Sequence, residues 1–266
     1  MNRLHSMRAR VTSFAASLTL LFAAPAAARA STISVSTVDS AAPSIAPSVA
    51  RASVLPLTQR DVDASNAKVK MAYTELVSMW SSEFQQHGAR FEAPRLLRYR
   101  GEVMTPCGEM SPSNAFYCPN ANAIYFDDIF VAAQARSAGQ ELGTDGDMVA
   151  VGIIAHEMGH AVAAEVGFAP RDSYENEATA DCLAGAFAQH AEQQGELEKG
   201  DLEEAFYGMA AAGDPTPQPT GNPRYDRRVR AVLARNAHGT RDQRMQNFRT
   251  GLEGGAGACL EPFAGR

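Results

Sequence analysis

No apolar run in this 266-residue chain reaches the roughly 20 residues needed to span a bilayer. The longest, Val11 to Ala24, is about 14 residues; Arg3, Arg8 and Arg10 precede it and the small-residue sequence Ala26-Ala27-Ala28-Arg29-Ala30 follows. That arrangement speaks against a membrane anchor and reads as a secretory signal over residues 1–30, cut after Ala28 or Ala30. Positive charge is also short. The formal net charge is −6, and loss of a leader holding four arginines and no acid takes it to about −10, which leaves no electrostatic footprint for nucleic acid. Cysteine is scarce too. Cys107, Cys118, Cys182 and Cys259 allow three pairings, and an even count in an exported chain favours two disulfides over free thiols. There is no internal repeat. Residues 31–58 lack aromatics and carry only Asp39 and Arg51 as charges, the composition of a disordered Ser/Ala/Pro-rich tether. A globular domain is left at 59–266.

What the chain does have is His156-Glu157-Met158-Gly159-His160. On a helix the two imidazoles, four positions apart, share a face with a carboxylate beside the first, the pattern of a zinc site with its general base. The bland alternative is two surface histidines on an amphipathic helix. The flanks Met148 to Ala155 and Ala161 to Ala164 are apolar nearly all round, which marks a buried helix. Burying two histidines and a glutamate there is costly unless something pairs with them. Asp147 is the expected N-cap of this helix and Gly167 its terminator.

Around it, Val69, Tyr73, Leu76, Val77, Trp80 and Phe84 predict an amphipathic helix over 63–86, with His87 in its last turn. Leu96–Tyr99 and Ala123–Phe126 read as short strands, separated by turns at 105–108 and 116–120. A Cys107–Cys118 bridge would close this region. The polar stretch 137–146 reads as a connection. A second helix is expected from Tyr174 to Gln194, capped by Ser173, then a third over 201–212, a breaker-rich loop at 213–219, and an Arg-rich helical remainder from Pro223.

Glu177 and Asp181 stand four apart on the second helix, on a face of small and apolar residues that suits close packing. Gly167-Phe168-Ala169-Pro170 lets the chain turn and run back past the motif helix. Glu177 is therefore the expected third ligand, and Asp181 the acceptor for a ligand histidine's free N–H. The expected chemistry is peptide-bond hydrolysis through a zinc-activated water, with Glu157 moving its proton to the leaving amine. His238, on a turn before a helix that a Thr240/Gln243 capping box starts, either donates to the oxyanion or caps the turn. Tyr207 and Tyr225 are weaker candidates for the first task, and His190 reads as a surface residue.

These residues fall into blocks whose order is similar to that of the putative neutral zinc metallopeptidases, a bacterial family: Cys107-Gly108, Phe116-Tyr117-Cys118-Pro119 with Ile124-Tyr125-Phe126-Asp127, the His156–His160 motif, Glu177 through Gly185, and His238-Gly239-Thr240 through Gln243-Arg244 to Gly251-Leu252-Glu253. The resemblance implies an α+β, zincin-like fold, mainly helical with a small β-sheet beside the motif helix, and one zinc ion on His156, His160 and Glu177 supported by Asp181. It also implies a peptide or protein substrate lying along Ala123–Phe126, and disulfides Cys107–Cys118 and Cys182–Cys259. The chain departs from the family pattern at Ala161-Val162-Ala163 and Asp214-Pro215-Thr216-Pro217-Gln218, which bears on substrate preference. The expected protein is a secreted or periplasmic zinc peptidase with no transmembrane segment once mature. The alternative is a non-catalytic envelope or binding protein with a structural zinc.

Overall fold

The computed structural model describes residues 56–233 and 237–260; the expectations for residues 1–55 lie outside them. The first helix, α1 (Gln59–Gln86), starts earlier than its apolar stripe predicts because Thr58 and Asp61 form a reciprocal capping box. It buries Val62, Val69, Leu76, Trp80 and Phe84 along one face. His87 ends it, with Nε2 3.5 Å from Glu83.

Five short strands follow: β1 (Arg95–Tyr99), β2 (Val103–Thr105), β3 (Gly108–Met110), β4 (Ala115–Cys118) and β5 (Ala123–Asp127). The first, fifth and fourth make a sheet in the order β1-β5-β4, parallel in the first pair and antiparallel in the second, while β2 and β3 form a separate hairpin. Two expectations are corrected here. Phe116 to Cys118 is strand rather than turn, since its aromatic residues suit a pleated surface and the chain reverses one step later, at Pro119–Ala121. The strand at 123–126, which the resemblance makes the edge beside the cleft, is central and paired on both sides; the sheet's edges are β1 and β4, and β4 is the one against α3.

Helix α2 (Asp128–Leu142) occupies most of what reads as a polar connection. Its buried face is Val131, Ala132, Ala135 and Ala138, too weak an apolar stripe to announce itself, and Asp127 caps it. The motif helix α3 (Asp147–Glu165) is buried nearly all round, as its flanks predict, and packs against α1, α2, β4 and two later helices, α4 (Ser173–Gln194) and α5 (Asp201–Ala211). Its start differs from expectation. Gly146 is the N-cap and has no side chain to offer, so Glu204 from α5, fully buried, accepts the Gly146 and Met148 N–H groups at 2.8 Å each. Asp147 pairs with Lys68 instead. Similarly, Asp172 rather than Ser173 caps α4.

Close helix packing rests on glycine. A Cβ at Gly159 would lie 2.8 Å from the Ala180 carbonyl oxygen, and one at Gly251 only 1.7 Å from that of Cys182. The first brings α4 onto α3, and the second brings the last helix, α7 (Arg241–Leu260), onto α4. Between α5 and α7 lies α6 (Pro223–Leu233), an exposed basic helix. The architecture is α+β, mainly helical, with a small sheet beside the motif helix. None of the described helices is long and apolar enough to cross a membrane.

All four cysteines are paired. Cys107–Cys118 ties the β2–β3 hairpin to the sheet, and Cys182–Cys259 fastens α7 to α4 across 77 residues. On the loop-entropy model the long bridge is worth about 4.5 kcal/mol and the short one about 3 kcal/mol. Replacing Cys182 and Cys259 together by serine should therefore lower the unfolding free energy by about 4 kcal/mol in denaturant titrations, more than the corresponding change at Cys107 and Cys118.

Candidate metal centre

One turn of α3 separates His156 and His160, and their rings stand at 86° with centroids 4.7 Å apart. Gly167, in the left-handed region, ends that helix, the chain reverses, and α4 runs back with Glu177 facing both imidazoles. Glu177 Oε2 is 3.2 Å from His156 Nε2, and Oε1 is 3.5 Å from His160 Nε2. Donors of these types at about 2.0–2.1 Å from a tetrahedral zinc stand roughly 3.3 Å from one another. Glu177 thus already stands at such an edge from each imidazole, all three donors lie within 4.8 Å of one another, and the donor set of two imidazoles and a carboxylate suits zinc.

Behind them sits a second layer that sequence reading captured only in part. Asp181 is fully buried, and its Oδ1 lies 2.8 Å from His156 Nδ1, as its spacing from Glu177 predicts. Arg244, on α7, donates to both oxygens of the same carboxylate, at 2.5 and 3.0 Å, and to the Ala212 carbonyl at 3.1 Å. His156 Nδ1–H and the Arg244 guanidinium are two donors converging on one acceptor, which accounts for their 3.3 Å separation. This fixes the His156 tautomer so that Nε2 faces Glu177. In the sequence Arg244 is one of many arginines in a segment that reads as a solvated face, and only the fold brings it inside.

Charge in this cluster is strongly redistributed. Burial disfavours the charged form of His156, but Asp181 and Glu177 outweigh it and hold its pKa up at about 10. Burial, helped by His156, drives His160 down to about 4. Burial opposes ionisation of Glu177, yet its contact with His156 keeps the carboxyl at about 2. A metal entering the site must displace the His156 proton, so its affinity rises with pH up to about pH 10.

Glu157 points into the same space. Burial raises its pKa to about 7, with the backbone N–H of Tyr117 on the edge strand pulling the other way. A cavity of about 550 Å³ opens here, lined by β4, one face of α3, parts of α4 and α5, and His238. The His238 ring does not cap its turn. Asp214 does so, accepting the His238 and Gly239 N–H groups at 2.7 and 3.1 Å, and its other oxygen lies 3.4 Å from His238 Nδ1. The Thr240/Gln243 capping box starts α7 as expected. Tyr207 and Tyr225 do not line the cavity, and His190 is half-buried rather than on the surface. Asp145, Asp147 and Glu204 also lie close together, but Glu204 is taken by backbone N–H groups and Asp147 by Lys68.

Zinc bound through this second layer should be sensitive to it. Arg244→Gln, which loosens Asp181 without touching a ligand, is expected to weaken zinc by about 10–100-fold in competition with a chelator.

A family model described as putative neutral zinc metallopeptidase matches residues 30–263. Two Escherichia coli proteins, from strain K12 and from O6:H1 strain CFT073, each called uncharacterized protein YpfJ, are 34% identical to the chain over 219 residues. The match covers 76% of this chain and 72% of theirs. No solved structure gives a significant match. The chain, with its His156–His160 motif and 88-residue-distant Arg244 joined through Asp181, belongs to the putative neutral zinc metallopeptidase family.

Proposed function

We propose that the protein is an exported zinc endopeptidase, with a single metal ion held by His156, His160 and Glu177. The observation that carries this reading is the pairing of a three-donor cluster with a buried, non-ligating carboxylate, both facing an open cavity. A purely structural site closes all four positions with protein ligands and has no use for Glu157. When bound, zinc supplies a Lewis acid that polarises the scissile carbonyl and acidifies water.

The chain's own residues do the rest. β4 has no strand on its outer side, so an extended peptide can add along it, and the cavity is lined on both sides of the cluster, by Gly152 and Ile153 before it and by Ala163 and Ala164 beyond it. A cavity open on both sides supports cleavage within a chain rather than at its end. Glu157, with a pKa near neutrality, takes the proton of the attacking water and hands it to the leaving amine. His238 presents its ring to the cavity with Nδ1 turned to Asp214, and in its imidazolium form, with both ring nitrogens protonated, its Nε2–H serves as the donor to the developing oxyanion. An edge strand over a metal-binding helix, with the third ligand on the next helix, supports a zincin-like classification. Export rests on the leader at 1–30, and the two disulfides suit an oxidising compartment.

Glu157→Gln should retain one zinc per chain by elemental analysis while kcat on a peptide library falls about 10²–10⁴-fold. His156→Ala should lose the metal. A metal-free wild type, or a Glu157→Gln protein that cuts at the wild-type rate, contradicts the reading.

A further inference from the structure

Beyond the metal cluster the cavity runs on towards the N-terminal half of α3, into a lobe between that helix and α5. Met148, Val149 and Ile153 wall it on one side, Ala205 and Met209 on the other, and Gly152 lies in the floor one turn before His156. Met148, Val149, Ala205 and Met209 are all buried. Every charged residue lining the cavity belongs to the metal centre, its Arg244 support or the His238 turn, so no charge faces an occupant of this lobe. Two methionine walls add adaptability of shape, because an unbranched thioether repacks around differently shaped neighbours.

Gly152 is what keeps the lobe open. It sits in regular helix, where glycine is unfavourable relative to alanine by about 1 kcal/mol, so the helix itself does not ask for it. A Cβ built there meets only Met209 Cε, at 3.8 Å, an ordinary contact. A methyl therefore fits, and any longer side chain at this position would project into the space. The contrast with Gly159 on the same helix is informative. There a Cβ collides with α4 backbone, so that glycine serves packing, whereas Gly152 has no packing reason to be bare.

We infer that this lobe is a specificity pocket for a large uncharged apolar side chain, of the size of leucine, methionine or phenylalanine, next to the scissile bond, and that Gly152 sets its depth. The inference rests on the peptidase reading of the site for the identity of the bond, and on the cavity alone for the chemistry of the side chain.

The test uses the zinc-loaded full chain and two peptide hydroxamates that differ only in carrying a benzyl or a methyl group beside the zinc-binding end. Wild type should bind the benzyl compound about tenfold or more tightly than the methyl one, the range that apolar pockets deliver. Gly152→Leu should abolish that preference, and zinc content reports whether the variant is folded. Met209→Ala, which widens the lobe, should favour a naphthylmethyl compound over benzyl relative to wild type. Equal affinities in wild type, or a preference that neither variant changes, overturns the inference. Cleavage-site mapping separates the two claims. If the hydroxamate preference holds and no peptide is cut, the hydrolase reading falls and the pocket stands. If peptides are cut with no apolar enrichment beside the bond, the pocket falls and the hydrolase reading stands.

Discussion

The carboxylate of Asp181 is the point on which the site depends. It is fully buried, it receives the His156 Nδ1–H and two bonds from the Arg244 guanidinium, and so it joins α3, α4 and α7 at one place. Alone, a buried ionised carboxylate would be costly; with a guanidinium fork and an imidazole its charge is balanced and its lone pairs are used. The same three bonds set which nitrogen of His156 faces Glu177. Structure and chemistry thus share one group. The segment that supplies Arg244 is also the one that Cys182–Cys259 fastens to α4, so the long disulfide keeps in place the residue that steadies Asp181 and, through it, His156.

Close helix approach is the second constraint. Gly159 inside the motif lets α4 lie against α3, and that contact is what carries Glu177 to within 3.2–3.5 Å of both imidazoles. A larger residue at this position would push the third donor away from the other two. The support of α3 at its start is equally indirect. Glu204 reaches across from α5 to occupy the free N–H groups at the positive end of the helix, where a carboxylate is favoured. The helix that carries His156 and His160 is therefore positioned at one end by α5 and along its length by α4.

Features carried by local pattern were legible in the sequence. The His156–His160 spacing, the turn at Gly167 and the four-residue step from Glu177 to Asp181 bring these side chains together without reference to the rest of the fold. Long-range features were not. Arg244 resembles its neighbouring surface arginines until α7 folds onto α4, and Glu204 resembles an ordinary first-turn acid of α5 until it meets Gly146. The α2 helix was hidden because its buried side is mostly alanine. At β4 the Cys-Pro pair suggested a turn from Phe116, three residues before the chain reverses at Pro119–Ala121, and the resemblance placed the sheet edge on the central strand. That correction matters for function, since it is β4, not β5, that lines the cavity beside Glu157.

The central claim is an open zinc centre with two imidazoles and one carboxylate from the protein. X-ray absorption at the zinc edge of the metal-loaded chain tests it most directly. The account predicts a shell of light nitrogen and oxygen neighbours at about 2.0–2.1 Å, two of them imidazoles, with one light neighbour that exchanges when a hydroxamate is added. A sulfur shell at about 2.3 Å, or a shell of four protein ligands that a hydroxamate leaves unchanged, would contradict it.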